Sequence, residues 1–311
     1  MNYLITGGAG FIGSNLAEKL LNLGEEVRIL DDFSTGREEN LADIKDDVEL
    51  IRGDLRDYET VRKSVTGIDY VLHQGALPSV PRSIQDPITT ADVNTGGTLN
   101  ILKAALDEGV QRVVAASSSS IYGNSPALPK VEDMPMNPLS PYAVAKMAGE
   151  LYCRNFYRVY GLETVALRYF NVFGPKQDPT SQYSAVIPLF FSLMKEGKSP
   201  TIHGDGKQSR DFTFIDNVVD ANLKACTAEG AVGEMFNIGY GEKHTLLRLV
   251  ENINNILNTS IEPVFGEPRQ GDVKHSLADI SKARTILGYE PTVSFMEGLR
   301  IYFDKEELVA V

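Results

Sequence analysis

The chain contains no tryptophan and only two cysteines, Cys153 and Cys226, in 311 residues. So few thiols supply neither a metal-ligand set nor a disulfide framework, so no metal is expected and a reducing, cytoplasmic setting is. No apolar run approaches the ~18 residues that a spanning helix needs, which excludes a membrane span on length. The opening Met1-Asn2-Tyr3-Leu4-Ile5-Thr6 has no basic n-region and runs straight into glycines, so no signal peptide is expected. Basic residues are also scarce, 30 Lys and Arg against 42 Asp and Glu, and the net charge of −12 opposes binding to nucleic acid or an anionic membrane. Internal repeats, low-complexity tracts and Gly/Ser linkers are absent. What is present is an ordinary globular composition, 42% hydrophobic and 23% charged. The length suits one large α/β domain with a smaller lobe, and the expected partners are small molecules.

Short apolar, β-branched runs alternate with helical patterns through the first half: Tyr3–Thr6, Val27–Leu30, Val48–Ile51, Tyr70–Leu72, Arg112–Ala115 and Thr164–Leu167. Helical periodicity fills the gaps, as in Ile12 to Leu23 with Ile12, Leu16, Leu20 and Leu23 on one face, and from Thr90 to Asp107. The alternation predicts a doubly wound α/β fold, a parallel Rossmann-type sheet covered on both faces. After about Phe170 the punctuation changes, with Gly174-Pro175, Asp178-Pro179, His203-Gly204-Asp205-Gly206 and Glu267-Pro268. We expect a dinucleotide-binding domain over 1–169 and a smaller α/β substrate lobe over 170–311, some of whose segments return to the first domain. A cleft between the two is the expected site.

Gly7-Gly8-Ala9-Gly10-Phe11-Ile12-Gly13 directly follows the first strand pattern. Glycines at this spacing allow a tight turn, let the backbone approach a pyrophosphate and let the next helix pack close to the strand, its N-terminus facing the anion. Asp31 ends the second strand pattern, 18 residues after Gly13. A carboxylate there accepts from ribose hydroxyls and repels a 2′-phosphate, which favours NAD over NADP, although Arg37 pulls the other way. Asp54-Leu55, just past the third strand, is in reach of the adenine, while Asp54 alone would read as a solvated loop carboxylate.

Ser117-Ser118-Ser119-Ser120 follows the fifth strand pattern, and Pro141-Tyr142-Ala143-Val144-Ala145-Lys146 opens the next helix. Residues four apart share a helix face, so the Tyr142 phenol and the Lys146 ammonium point into one space. A phenol is a poor base at neutral pH, and a nearby cation favours its phenolate. The Lys146 ammonium can also hold a nicotinamide ribose, and Ser118 can orient the same substrate oxygen. Base, donor and adjoining oxidant are what removal of hydride from a carbinol carbon requires. A solvated helix face is the alternative for Tyr-x-x-x-Lys, and a structural or cofactor-adjacent role, rather than that of a base, is the expectation for His73.

Together these motifs resemble the extended short-chain dehydrogenase/reductase family, and within it the nucleotide-sugar 4-epimerases. The likeness runs through Gly7–Gly13, Asp31-Asp32-Phe33-Ser34-Thr35-Gly36, Gly53-Asp54-Leu55, Asn94, Ser118, Tyr142, Lys146, Arg168-Tyr169-Phe170-Asn171 and Arg269-Gln270-Gly271-Asp272. It implies an NAD site of Gly7, Gly10, Phe11, Ile12, Gly13, Asp31, Asp32, Ser34, Thr35, Gly36, Asp54, Leu55, Gln74, Ala76, Asn94 and Tyr169, with Tyr142 and Lys146. It implies a UDP-sugar site of Ser79, Ser118, Tyr142, Asn171, Val186, Arg210, Arg269, Asp272 and Ser276, in which the two arginines bind the diphosphate. For Arg210 an ion pair with Asp211 is the competing reading. Ser276 takes the position where glucose-restricted members carry a bulky Tyr, leaving room for an acetamido group. The stretch His73 to Ser83 is similar to members acting on N-acetylated sugars. The resemblance therefore implies interconversion of UDP-GlcNAc and UDP-GalNAc, with UDP-Glc and UDP-Gal as further substrates, through a transient 4-keto sugar.

Dehydratase relatives carry an Asp-Glu pair after the catalytic hydroxyl; Ser119-Ser120 stand here, so elimination of water lacks its acid. A UDP-uronate epimerase or decarboxylase would need a carboxylate site, for which Arg82 and Ser79 are candidates. A redox sensor that holds NAD without turnover is the reading from another class. The resemblance also implies a homodimer through the helices near 90–107 and 141–160, whose Leu99, Leu102, Leu151 and Phe156 would equally suit a core.

Overall fold

The computed structural model describes residues 1–178, 186–267 and 273–309. A seven-stranded, all-parallel sheet carries the molecule: β1 (Asn2–Thr6), β2 (Glu26–Asp31), β3 (Glu49–Arg52), β4 (Tyr70–His73), β5 (Arg112–Ser118), β6 (Glu163–Tyr169) and β7 (Met235–Ile238). Their order is β7-β6-β5-β4-β1-β2-β3, so the chain reverses direction across the sheet between β1 and β4. Six of these strands are the six apolar runs. The seventh comes from beyond residue 169, since β7 pairs with β6 with Asn237 opposite Arg168.

Alternation of side chains across the strands feeds two cores. Ile5, Leu72 and Val114 enter a core with α1 (Phe11–Asn22), Val218 and Ala221 of a later helix (Ile215–Thr227), and the aromatic cluster around Phe173. Leu4, Val71 and Val113 point the other way, onto α2 (Tyr58–Val65), α3 (Gly97–Glu108) and α4 (Pro141–Tyr160). Burial on both faces is why these strands read as unbroken apolar runs.

The stretch read as one helix from Thr90 is helical in three parts: Pro87–Ala91, a wide π-helical turn Asp92–Gly96, and α3. The π turn carries Asn94, whose amide clamps Leu77 from both sides. Its Oδ1 accepts from Leu77 N–H at 2.7 Å and its Nδ2 donates to Leu77 O at 3.0 Å. Beyond β6 the pieces are short, with paired strands Thr201–His203 and Val264–Gly266, and Ser209–Arg210 and His244–Thr245. Asp211 ties these pieces together: its fully buried carboxylate accepts from the N–H groups of Tyr240, Gly241 and Ala278 at 2.9, 3.1 and 3.0 Å.

Candidate active site

The site begins where β1 ends. Gly7 turns the chain at φ +66°, and a Cβ on it would lie 2.7 Å from the Gly75 Cα. A Cβ on Gly13 would lie 2.2 Å from the Gly7 carbonyl oxygen. Both neighbours are backbone and cannot yield, so only glycine lets α1 approach the strand this closely and leave a cradle for an anion. The cradle opens into a cleft of about 430 Å³ along the C-terminal ends of the strands, where the strand order reverses.

Of the residues assigned to the cofactor from sequence, Gly7, Gly10, Phe11, Ile12, Gly13, Asp31, Asp32, Ser34, Thr35, Asp54, Leu55, Gln74, Ala76, Tyr142, Lys146 and Tyr169 all line this cleft. Gly36 and Asn94 do not. Gly36 stands behind Asp31, where a Cβ would lie 2.7 Å from its Oδ1, and Asn94 is committed to Leu77. Asp31 does more than face a ribose. Its Oδ2 accepts from Ala9 N–H at 2.9 Å and its Oδ1 from Phe33 N–H at 2.8 Å, so it staples the glycine turn to the end of β2. Burial pushes its carboxyl above the usual range, against the pull of these two bonds. Asp54 pairs with Arg56 at 2.5 Å, which holds its carboxyl below the usual range.

Among the lining residues not assigned to the site from sequence, Lys176, Gln177 and Asp178 come from the segment after β6 to wall the cleft. Lys176 donates to Asn40 O at 2.8 Å and to the Glu18 carboxylate, and Asp178 faces Arg37 at 3.8 Å. Within this wall Arg37 Nε and Gln177 Oε1 are buried without a partner among the described residues, polar groups that a bound molecule would satisfy. No local pattern marks this strap, because its role depends on the fold bringing residue 176 beside residues 18 and 40.

The catalytic candidates converge on the same cleft. Ser140 caps α4, its Oγ accepting from Ala143 N–H at 3.2 Å, and Pro141 fits the first turn. Tyr142 and Lys146 therefore share the face toward β5. The Tyr142 phenol faces the Ser118 hydroxyl, which accepts from Ser120 N–H at 3.2 Å, and the Lys146 ammonium donates to Ala116 O at 2.9 Å. Ser118 is reached through Tyr142 and is not itself part of the cleft wall. Burial holds the phenol above its ordinary value, opposed by the Ser118 hydroxyl, and lowers the Lys146 ammonium to about 8. The lysine is thus not what lowers the phenol in the unliganded chain, because both groups lose water on entering one cleft. His73 is structural: Nδ1 bonds Thr6 Oγ1 at 2.7 Å, Nε2 bonds Thr98 Oγ1 at 2.9 Å, and burial drops its pKa to about 3, so it is neutral.

The substrate candidates form a second group. Ser79, in the left-handed region at φ 95°, lines the cofactor cleft with Arg82. Asn171, Arg210 and Ser276 gather around the Ser209–Asp211 strand end. Asn171 Nδ2 donates to Asp211 O at 3.2 Å, Ser276 N–H donates to Ser209 O at 3.0 Å, and Arg210 Nη1 donates to Ser209 O and Lys274 O at 3.0 and 3.3 Å. Val186 opens the helix Val186–Lys195 and is half-buried. Arg269 and Asp272 lie outside the described residues.

A family model described as the NAD dependent epimerase/dehydratase family matches residues 3–239. A UDP-glucose 4-epimerase of Mycolicibacterium smegmatis is 40% identical over 308 residues, spanning 96% of each chain. The solved structure of a UDP-N-acetylglucosamine 4-epimerase from Methanobrevibacter ruminantium, in complex with UDP-N-acetylmuramic acid, superposes with a TM-score of 0.94 at 38% identity, covering 100% of this chain and 99% of that one. A UDP-glucose 4-epimerase from Thermotoga maritima, bound to UDP-glucose, superposes at 0.95 with 36% identity and full coverage of both chains. The chain belongs to the NAD dependent epimerase/dehydratase family, on the extended short-chain dehydrogenase/reductase scaffold, and its cofactor is NAD.

Proposed function

We propose that this protein is a UDP-hexose 4-epimerase whose main reaction interconverts UDP-GlcNAc and UDP-GalNAc, with UDP-Glc and UDP-Gal as secondary substrates. The observation that carries the reading is that Tyr142 and Lys146 stand together in the wall of the cleft that holds the glycine cradle, with Ser118 behind the phenol. Tyr142 takes the proton of the 4-hydroxyl, Ser118 holds the same oxygen, and Lys146 fixes the face of the cleft against which oxidation occurs. When bound, NAD supplies the acceptor that holds the C4 hydride and gives it back. The 4-keto sugar turns in the site and is reduced on its other face, so the cycle is redox-neutral. Ser119 and Ser120 offer no carboxyl to expel a C6 hydroxyl, which favours epimerisation over dehydration.

The N-acetyl preference rests on Ser276, a small, nearly buried residue whose N–H bonds Ser209 O, on the same strand end as Arg210 and the Asp211 carbonyl that Asn171 bonds. A second reading, a uronate epimerase or decarboxylase, is favoured by Arg82, a guanidinium in the cleft wall beside Ser79 that would suit a C6 carboxylate. Purified protein without added reductant should equilibrate UDP-GlcNAc with UDP-GalNAc, followed by the anomeric protons in NMR. Turnover of UDP-glucuronate or loss of CO₂ instead moves the assignment to the second reading, and no turnover of any nucleotide sugar leaves an NAD-binding sensor.

A cytoplasmic homodimer completes the proposal. Leu102 and Phe156 belong to the core and Leu99 packs against it. Leu151 is exposed, as are Val144, Tyr152 and Val159 along one stripe of α4, and Ile84 and Ile88 lie on the helices packed against it. An apolar face of this kind fits a second copy.

A further inference from the structure

We infer that Ser117, Glu150 and Arg168 form a positioning unit that holds the end of β5 against α4 and so sets Lys146 and Ser118 relative to Tyr142. The inference rests on the catalytic reading of Tyr142 and Lys146. Glu150 is four residues beyond Lys146, on the same helix face, and it points into the sheet with 1% of its side chain exposed. Arg168 meets it with its side chain fully buried, through Nη2 to Oε1 at 2.5 Å and Nε to Oε2 at 2.9 Å. Ser117, opposite Arg168 in the β5–β6 register, donates its hydroxyl to the same Oε2 at 3.0 Å. The flanking residues on β5 are Ala116, whose carbonyl holds the Lys146 ammonium, and Ser118, whose hydroxyl meets Tyr142.

The guanidinium is held from its far side as well. Nη1 donates to Tyr122 OH at 2.7 Å and to Glu132 O at 2.9 Å, and Tyr122 donates onward to Asn237 Oδ1 at 2.6 Å on β7. Four donors in a fork with these acceptors leave Glu150 little choice of place. Stability does not account for the arrangement, since burying a charge pair is costly and apolar side chains of the same volume hold a helix on a sheet at least as well. Directional bonds do what apolar packing does not: they fix the rotation of α4 about its axis and its height over the strand end. Tyr142, Lys146 and Glu150 lie on one rigid helix, so a small rotation there displaces the phenol from Ser118. A misplacement of about 1 Å can cost about 100-fold in rate.

The test compares Ser117→Ala, Ser117→Thr and Glu150→Gln, each assayed for kcat, KM for the UDP-sugar, retained NAD and melting temperature. Ser117→Ala leaves the ion pair whole and removes its link to the strand. It should keep the wild-type melting temperature, NAD content and KM and lose at least about tenfold in kcat. Ser117→Thr, which keeps the hydroxyl, should recover kcat to within about twofold, and Glu150→Gln, where it folds, should lose more than Ser117→Ala. A Ser117→Ala enzyme with kcat within about twofold of wild type overturns the inference, as does a loss that Ser117→Thr shares. If the wild type turns over no nucleotide sugar, the epimerase reading fails by itself. The positioning unit is then decided by ¹³Cε NMR titration of the lysines. The Lys146 titration should move in Ser117→Ala toward the ordinary lysine range, and an unmoved titration overturns the inference.

Discussion

Lys146 and Ala116 are joined across the helix–strand interface, the buried ammonium donating to the carbonyl oxygen 2.9 Å away. The bond ties α4 to the strand that carries Ser118 two residues on. It holds the cation with no carboxylate partner among the described residues, so burial prevails and the pKa falls to about 8. A lysine lowered in this way is charged below that value and neutral above it. We predict that kcat declines as pH rises through about 8. Lys146→Arg, slower throughout, should lack that alkaline limb, because a guanidinium stays charged. A pH–rate profile of both proteins with UDP-GlcNAc checks this, and an alkaline limb that survives in the Arg variant assigns it elsewhere.

Tyr142→Phe removes the phenol that faces Ser118 without altering the cleft wall otherwise. Loss of a general base is expected to lower kcat by about 10²–10⁴-fold with NAD still bound. Assay of the purified variant for turnover and for cofactor released on denaturation is decisive. Wild-type rates would take the tyrosine out of its role.

Gly13→Ala sets a methyl group 2.2 Å from the Gly7 carbonyl oxygen. Backbone cannot rotate aside as a side chain can, so α1 must retreat and the cradle opens. We expect a loss of about 3 kcal/mol in stability together with loss of retained NAD. Chemical denaturation and cofactor content measure both, and full NAD occupancy in a stable variant would refute the close-packing argument.

Asp211 binds its proton more tightly in the folded chain than in the unfolded one, because burial raises it to about 6 despite three backbone donors. Its contribution to stability is therefore complete below about pH 4, the ordinary unfolded value, and is lost as pH rises through 6. A carboxyl whose pKa rises from about 4 to about 6 on folding contributes about 3 kcal/mol in this way. Asp211→Asn loses an acceptor and is less stable at low pH, but it has no proton to release. The stability gap to wild type should narrow by about 2–3 kcal/mol between about pH 4 and about pH 7.5, as read by urea unfolding. A gap that widens would mean that the backbone bonds outweigh burial.

Ser276→Tyr should restrict the sugar. The added ring enlarges a nearly buried residue tied to the strand end that carries Arg210, and on the proposed reading it crowds an acetamido group more than a hydroxyl. We expect kcat/KM for UDP-GlcNAc to fall at least about 100-fold while UDP-Glc is affected by less than about tenfold. Equal losses on both substrates would separate Ser276 from the 2-substituent.

Local physics made much of this molecule legible in the chain. Six of the seven sheet strands are apolar runs flanked by turns, since a strand buried on both faces needs apolar residues throughout. The seventh, Met235–Ile238, has the fully buried polar Asn237 at its centre. That residue is tolerated only because Glu132 Oε1 accepts its N–H, Tyr122 donates to its Oδ1, and its Nδ2 reaches Lys130 O. None of those partners is within 100 residues of it in the chain. The glycine turn and the Tyr142–Lys146 pair are also local, one a matter of backbone freedom and the other of helical repeat.

By itself the sequence determined the cradle, the position of the acid that follows it, the sharing of a helix face by phenol and ammonium, and the lack of a carboxyl after Ser118. Each depends on spacings of a few residues or on a composition that only one backbone conformation accommodates. Tertiary structure alone decided that Asp31 would staple the glycine turn, that Asn94 would face Leu77 instead of the cleft, that Lys176–Asp178 would wall it, and that Glu150 would meet Arg168. These are meetings between separate elements of the fold, and which polar groups pair there follows from strand register and from burial that leaves no water as the alternative partner.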